Sequence, residues 1–436
     1  MSSNKKNQRA ILAKLGIEQL NAMQEAARQA IHAHSEIVLL SPTGTGKTLA
    51  FLLPIFAELD PNNPDVQALV LTPSRELAIQ IEQVARDMGT GYKVNAVYGG
   101  QHFSKDKINL KHRPAVLVGT PGRVADHLRR ETFPTESITT LVLDEYDKSL
   151  EIGFELDMNE IVQALPNIRK KILTSATEEA DLPPFIGVDQ PHYINFLAEK
   201  RQQLQIKLIL SPEKDKLKTL VEALCHIGNE PGIIFCNYKD SIQRVSTFLE
   251  EQGIAHGCFY GGMEQMERER ALIKFRNGTH QLLLATDLAA RGIDVPEIKF
   301  IIHYHLPHRE QEFIHRNGRT ARMFSDGTAY VLTWEQEQLP EFIHTQEVEV
   351  LQEAAIPQAA AWKTLFISGG RKDKISKGDI AGLFFKQGKL AKDELGMIEI
   401  KQDCSFVAVQ SQKIKSLIQQ LDNSRLKKKK VRIRLI

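Results

Sequence analysis

The sequence predicts an α/β protein: two parallel-sheet lobes in tandem, then a small, separate α+β domain. Three observations carry this. Short apolar runs recur through residues 37–332, each followed by a polar loop and a helix-like stretch, the pattern of strands buried on both faces by crossover helices. The runs fall into two groups, parted by Pro183-Pro184 and the polar stretch Glu199–Gln205, as a hinge would part them. Charge changes abruptly near the C-terminus: residues 362–436 carry 18 Lys/Arg against 7 Asp/Glu, whereas residues 1–361 carry 38 against 47.

In the first lobe, expected at residues 1–194, the runs are Ile37–Leu40, Ala68–Leu71, Ala115–Val118, Thr140–Leu143 and Lys171–Leu173. In the second, expected at 207–335, they are Gly232–Phe235, Cys258–Tyr260, Leu282–Ala285, Phe300–His303 and Ala329–Leu332. The basic module, 362–436, reads strand (Leu365–Ile367), helix (Ile380–Phe385), strands (Met397–Ile400, Phe406–Val409), helix (Gln412–Leu421), strand (Val431–Leu435), an order that suits a split β-α-β sandwich. Its net charge is an electrostatic footprint for a polyanion, or else a solubilising tail. No apolar run is long enough to span a membrane, and no apolar stretch follows Met1-Ser-Ser-Asn-Lys-Lys, so a soluble cytoplasmic monomer is expected. The scattered cysteines (Cys225, Cys236, Cys258, Cys404) lack metal-ligand spacing and read as reduced thiols.

The chemistry-bearing motifs begin where strands end, which is where open α/β sheets bind ligands. Ile37–Leu40 runs into Ser41-Pro-Thr-Gly-Thr-Gly-Lys-Thr48. Thr43, Gly44, Thr45 and Gly46 can curl backbone N–H groups around phosphate at a helix start. Lys47 can reach the β/γ-phosphates, and the Thr48 hydroxyl can hold Mg²⁺. The generic pattern has glycine where this chain has Ser41. Asp144 and Glu145 follow Thr140–Leu143; Asp144 suits Mg²⁺ and Glu145 suits deprotonating a water. Alone, such a pair reads as readily as a helix cap. Arg319 and Arg322 are three apart and on a helix would share a face, either as arginine fingers or as a solvated basic stripe.

Taken with Thr72-Pro-Ser-Arg-Glu-Leu-Ala78, Leu143-Asp-Glu-Tyr-Asp147, Thr174-Ser-Ala-Thr177, Ala285-Thr-Asp-Leu-Ala-Ala-Arg-Gly-Ile-Asp294 and Phe313-Ile-His-Arg-Asn-Gly-Arg-Thr-Ala-Arg322, the chain resembles the DEAD-box RNA helicases over about residues 10–335. The resemblance implies two RecA-like lobes that close on ATP, Mg²⁺ and single-stranded RNA. It matches Gln24 to the adenine-reading glutamine, and Ser175 and Thr177 to residues that couple the acidic motif to RNA through Asp147. It matches Asp294 to a ribose and phosphate-site aspartate, and Arg319 and Arg322 to the fingers. For RNA it matches Pro73, Arg75, Gly100, Thr120, Pro121, Gly122 and Arg123 in the first lobe, and Asn237, Gly262, Thr286 and Arg291 in the second; hydroxyls, N–H groups and arginines suit sugar–phosphate contact. Three departures stand out: Tyr146 replaces the name-giving alanine, Leu20-Asn21 replaces Pro-Thr, and Asn7 falls where an aromatic residue would stack on adenine. Tyr146 motivates a second reading, an ATP-gated RNA clamp with little turnover. A general RNA remodeller is a third.

Residues 362–436 resemble the RNA-binding domain of the DbpA-type members, an RRM-like (RNA-recognition-motif) fold. The segments that carry this are Leu365–Ile380, Phe406-Val-Ala-Val409 and Lys430-Val-Arg-Ile-Arg-Leu435. The ordinary version stacks bases on sheet aromatics. Here Phe406 matches such a position, while Cys404 and Val409 stand at two others. Binding is therefore expected from Arg371, Lys372, Lys374, Lys377 and Lys427–Lys430, the last of which could equally be a solvated hairpin. The resemblance implies tethering to large-subunit ribosomal RNA, with a short linker raising the local RNA concentration.

Overall fold

The computed structural model describes residues 8–150, 154–177, 182–198, 204–287, 298–320, 327–345, 347–358 and 360–436. They form two compact units, one ending near residue 200 and the other continuing to the C-terminus.

The first unit is a parallel sheet of β1 (Glu36–Leu40), β2 (Ala68–Leu71), β3 (Val94–Val97), β4 (Val116–Gly119), β5 (Thr140–Leu143), β6 (Lys170–Ser175) and β7 (His192–Asn195), in the order β3-β4-β2-β5-β6-β1-β7. Each central strand buries both faces. Ile37 and Leu39 pack with the helices Ala22–Ala33 and Lys47–Glu58, and Val38 and Leu40 with Val124, Met158 and Ile161 on the other side. That double burial is why these strands read as unbroken apolar runs. β3 and β7, absent from the sequence expectation, are the sheet's edges; half-exposed, they carry polar residues such as Asn95 and His192.

In the second unit, β8 (Leu204–Ser211), β9 (Gly232–Phe235), β10 (His256–Phe259), β11 (Leu282–Ala285), β12 (Phe300–His303) and β13 (Gly327–Trp334) form a parallel sheet ordered β10-β11-β9-β12-β13-β8. The edge strand β8 was likewise not expected. These are the two RecA-like lobes.

The C-terminal domain contains β14 (Trp362–Ile367), β15 (Leu395–Ile400), β16 (Ser405–Gln410), the hairpin β17–β18 (Arg425–Leu426, Lys429–Lys430) and β19 (Ile433–Leu435). Its antiparallel sheet has the order β15-β16-β14-β19, and the helices Lys377–Lys386 and Ile414–Leu421 cover one face through Leu365, Ile367, Phe384, Val407 and Leu417. This is an RRM-like α+β fold. Val409 corrects one expectation: strand alternation puts it with Val407 in this core, so it cannot be a sheet-face platform. Phe406 does lie on the opposite face, 5% exposed and edge-on to Phe366 at 5.8 Å.

That opposite face meets the second lobe where the helix Gln265–Arg276 ends. Thr364 Oγ1 accepts from Asn277 Nδ2 at 3.1 Å and shares a hydrogen bond with Thr279 Oγ1 at 2.8 Å. Arg276 Nη2 donates to both oxygens of Glu399 at 2.8 and 3.1 Å. Trp362 lies between Gly278 of the lobe and Gly396 of its own sheet; a Cβ on Gly396 would come within 3.0 Å of the indole. The domain is docked, not merely tethered.

Thr364→Val keeps the shape but strands the buried Asn277 amide. It should cost the second unit about 1–3 kcal/mol in urea unfolding; a loss under about 0.5 kcal/mol would mean that the bond carries no docking energy in solution.

Candidate functional site

The first lobe's sheet order divides its strand-end loops into two groups. Loops after β5, β6 and β1 are neighbours, and so are those after β3, β4 and β2. The predicted phosphate-loop and acidic-motif residues fall in the first group and this lobe's predicted RNA residues in the second, while Gln24 lies on the helix before β1.

After β1, Gly44 and Gly46 take φ of 83° and 88°, left-handed backbone that favours glycine. Ser41, the departure from the generic pattern, donates to Thr45 Oγ1 at 2.7 Å, and Thr45 in turn donates to the Pro42 carbonyl at 2.9 Å, so the hydroxyls close the loop on itself. Lys47 Nζ donates to the carbonyls of Ser41 and Pro42 at 2.5 and 3.1 Å. Thr43 lies within the loop, and Thr48 is half-buried in the first turn of the following helix.

The helix Ala22–Ala33 clamps this loop. Asn21, one of the departures from the family pattern, caps it in a capping box with Gln24. Asn21 Nδ2 donates to the Thr45 carbonyl at 3.0 Å and Gln24 Nε2 to the Gly46 carbonyl at 3.3 Å. Gln24 Oε1 accepts from the Asn21 N–H at 3.1 Å. Each amide atom of Gln24 keeps one unused valence, enough to read a donor–acceptor base edge. Asn7 lies outside the described residues.

Asp144 is 3% exposed at the end of β5. Its Oδ1 accepts from Thr174 Oγ1 at 2.5 Å, and Thr174 Oγ1 accepts from the Glu145 N–H at 3.2 Å. Thr174 escaped the sequence analysis; a threonine at the end of an apolar strand was the available signal. Burial pushes the Asp144 carboxyl up to about 6, aided by neighbouring Glu145 and opposed by Thr174 and Lys47. Glu145 sits at φ 49°, a region non-glycine residues enter at a cost of about 1–3 kcal/mol. A buried carboxylate whose charge burial disfavours and Lys47 only partly offsets fits a divalent cation. No cluster of three or more metal-ligating side chains exists among the described residues, so such a cation would also need phosphate or water oxygens.

Thr177 Oγ1 lies 3.4 Å from Asp147 Oδ2, and Ser175 Oγ is bonded to Thr177 through its N–H (3.0 Å) and carbonyl (2.8 Å). Ser175 thus reaches Asp147 through Thr177. Tyr146 is 2% exposed in the core with Leu143, Leu173 and Ile186; burial and then Asp147 push its phenol up to about 12.

Among the RNA candidates, Pro73 and Arg75 follow β2, Gly100 follows β3, and Thr120, Pro121, Gly122 and Arg123 follow β4. Arg75 lies against Gly100: a Cβ there would come within 2.5 Å of the guanidinium. Arg123 is tied down by buried Asp106 (2.8 Å) and the Gln101 carbonyl (2.5 Å).

In the second lobe Asn237, Gly262 and Thr286 follow adjacent strands. The organiser is a residue missed from sequence, Arg316, 1% exposed. Its Nε and Nη2 donate to the two oxygens of Asp287 at 2.6 Å each, Nη2 also to Asn237 Oδ1 at 2.8 Å, and Nη1 to the His305 carbonyl at 2.8 Å. The helix Glu310–Asn317 ends before Arg319, which lies buried in the turn beyond it. The expected shared helix face with Arg322 is therefore not formed by Arg319. Arg291, Asp294 and Arg322 lie outside the described residues.

In the C-terminal domain Arg371 and Lys372 lie in a short 3-10 turn, Lys374 follows at φ 60°, and Lys377 starts a helix. Lys372 pairs with Asp403; Lys427 and Lys429 pair with Asp379 (3.1 Å) and Asp373 (2.8 Å). The hairpin is thus latched by two of its lysines, while Lys374, Lys377, Lys428 and Lys430 are exposed.

Three families match in sequence: DEAD/DEAH box helicase over residues 21–182, helicase conserved C-terminal domain over 215–324, and DbpA RNA binding domain over 364–435. The chain is 30% identical to the ATP-dependent RNA helicase DbpA of Bacillus subtilis, covering 96% of this chain and 95% of that protein. It is likewise 30% identical to that of Escherichia coli, with 98% and 96% covered. Among solved structures, S. cerevisiae Dbp5 bound to RNA and ADP BeF3 superposes with a TM-score of 0.68 at 27% identity, over 76% of this chain and 88% of the other.

The raised Asp144 carboxyl has a consequence for stability. The folded state holds that proton more tightly than the unfolded chain, so the cost of ionising it appears as pH rises from about 4 through about 6. Asp144→Asn should be more stable than wild type at pH 7.5, by up to about 3 kcal/mol, and the gap should close toward pH 4.5. Urea unfolding of both forms across that range checks it; a pH-independent difference would contradict the assigned cause.

Proposed function

The chain belongs to the DEAD-box ATP-dependent RNA helicases of the DbpA type, and from that premise we propose that it remodels short duplexes of large-subunit ribosomal RNA during subunit assembly. The activity itself, RNA-dependent ATP hydrolysis coupled to RNA unwinding, is that of the family. The ribosomal target rests above all on the C-terminal domain, whose net positive charge contrasts with an acidic remainder of the chain. An acidic helicase body gains little from non-specific attraction to RNA, so a dedicated basic domain supplies selectivity.

The proposed division of labour is as follows. The Thr43–Gly46 loop and Lys47 hold the triphosphate, and Gln24 reads the base edge from a clamp on that loop. Asp144 and Thr48 would hold Mg²⁺, which when bound neutralises charge on the transferring phosphoryl group. Glu145 takes the proton of the attacking water. Arg319, Arg322 and Asp294 are the second lobe's proposed phosphate and ribose residues. Asp147, Thr177 and Ser175 form a hydrogen-bonded link between the acidic motif and the end of β6, the proposed coupling to RNA. Pro73, Arg75, Gly100, Thr120–Arg123, Asn237, Gly262, Thr286 and Arg291 contact RNA. Arg371, Lys372, Lys374 and Lys377 form the ribosomal-RNA edge. Tyr146 is buried in the core, and normal RNA-stimulated hydrolysis would remove the reading of the chain as a low-turnover clamp. The lobes are taken as 1–194 and 207–335 and the RNA-binding domain as 362–436. No described helix is long and apolar enough to cross a membrane, and a cytoplasmic monomer is the proposed working form.

Two outcomes are expected. Glu145→Gln should lower RNA-stimulated ATP turnover by about 10²-fold or more while retaining nucleotide and RNA binding; near-normal steady-state turnover would remove Glu145 as the base. Stimulation by a large-subunit rRNA fragment should exceed that by an equal mass of unrelated structured RNA. Lys374→Glu with Lys377→Glu should erase that preference and leave generic stimulation intact; equal stimulation of the wild type by both RNAs would instead identify a general remodeller.

A further inference from the structure

Tyr238 follows Asn237 at the end of β9, stands at the N-cap of the helix Lys239–Glu251, and is 61% exposed. An isolated exposed aromatic residue needs no explanation, but this one has company. Its ring centroid lies 6.4 Å from those of both His305 and His308, tilted at 58° and 53°. The phenol oxygen is 3.4 Å from His308 Nε2, which lies 3.1 Å from Asn237 Nδ2. His305 Nδ1 accepts the Asn237 N–H at 3.3 Å, and the His305 ring lies 5.0 Å from that of Tyr304, tilted at 54°. Three rings from two strand-end loops therefore brace one another, and the Tyr238 ring is exposed.

The neighbouring polar chemistry is already committed. Asn237 Oδ1 accepts from Arg316, and Nδ2 reaches the Leu306 carbonyl at 2.9 Å as well as His308. The residue matched to RNA thus has every side-chain polar atom on a protein partner, and the group presented beside it is the Tyr238 ring. It shares its sheet edge with Gly262 and Thr286, which follow the next strands over. A flat, braced, solvent-facing ring among strand-end loops that handle a sugar–phosphate chain is the arrangement on which an unpaired base stacks.

We propose that Tyr238, braced by His305 and His308, is a stacking platform for one unpaired nucleobase of the bound RNA strand. This inference rests on the reading of the second lobe as an RNA-binding surface and adds a base contact to its backbone contacts. Because every base has a π-face, the contact tightens binding without choosing sequence.

The test uses the full-length chain with a non-hydrolysable ATP analogue and fluorescein-labelled single-stranded RNA, read by anisotropy. Tyr238→Ala should weaken binding roughly five- to a hundredfold, and Tyr238→Phe should stay within about twofold of wild type because the ring remains. On an abasic strand of equal length, wild type and Tyr238→Ala should bind alike. Wild-type affinity in Tyr238→Ala would overturn the proposal. So would a Tyr238→Phe as weak as Tyr238→Ala, which would place the effect in the hydroxyl's approach to His308, or a Tyr238→Ala deficit that persists on the abasic strand. Failure of the wild type to bind either strand would overturn the underlying RNA reading and this platform with it. An unchanged urea midpoint for Tyr238→Ala separates lost stacking from lost folding.

Discussion

Everything functional in the two lobes depends on strand direction. With all strands of each sheet parallel, every strand-following loop leaves by the same edge, and strand order alone decides which loops are neighbours. In the first lobe that order sets β5, β6 and β1 side by side, so Asp144, Thr174 and the Ser41–Thr48 loop meet although they are far apart in sequence. The other half of the same edge, after β3, β4 and β2, is left for Arg75, Gly100 and Thr120–Arg123. Ser175 and Thr177 stand at the end of β6, in the middle of the nucleotide group, and from there the hydroxyls reach Asp147.

Two of the buried charges, Arg316 in the second lobe and Asp144 in the first, are treated differently. Arg316 is fully satisfied: a bidentate carboxylate, an amide oxygen and a carbonyl surround its guanidinium. Removing any partner would leave buried charge uncompensated, so the loops after β9, β11 and β12 are bound into one piece. Asp144 is under-compensated, with one hydroxyl donor on Oδ1 and another carboxylate next in sequence. Its surroundings favour a positive ligand over an ionised, empty site. The first arrangement suits a scaffold and the second suits a place where something must bind.

Much of this was legible in the sequence, for physical reasons that also set its limits. Strands buried on both faces, such as Ile37–Leu40 and Gly232–Phe235, announce themselves as apolar runs. The edge strands β3, β7 and β8 do not, because half their side chains meet water and are free to be polar. Motif residues with chemical necessity, such as Lys47 and Glu145, could be named in advance. Residues that act by closing a three-dimensional contact could not: Thr174, Asp106 and Arg316 have no spacing that marks them. Arg319 falls just past a helix end, since the chain turns at Gly318, and Arg322 lies outside the described residues. Val409 failed on parity, one residue out of step with the face of its strand opposite the helices.

The docked face of the C-terminal domain changes what the connecting segment, about residues 340–361, has to do. For a freely swinging domain, doubling a connector costs about 0.6 kcal/mol in closure entropy, and spacing would be under selection. Here Thr364, Trp362 and Glu399 seat the domain directly on the lobe, so spacing is set by side-chain contacts, not by chain length. The first half of the connector lies on the lobe, through Glu347 and Glu349 bonded to Leu208 and through buried Ile343, which leaves the exposed residues 353–356 with continuity alone. The connector's Ala-, Pro- and Gln-rich stretch is then the part of the molecule where insertions, deletions and affinity tags should be absorbed with least consequence.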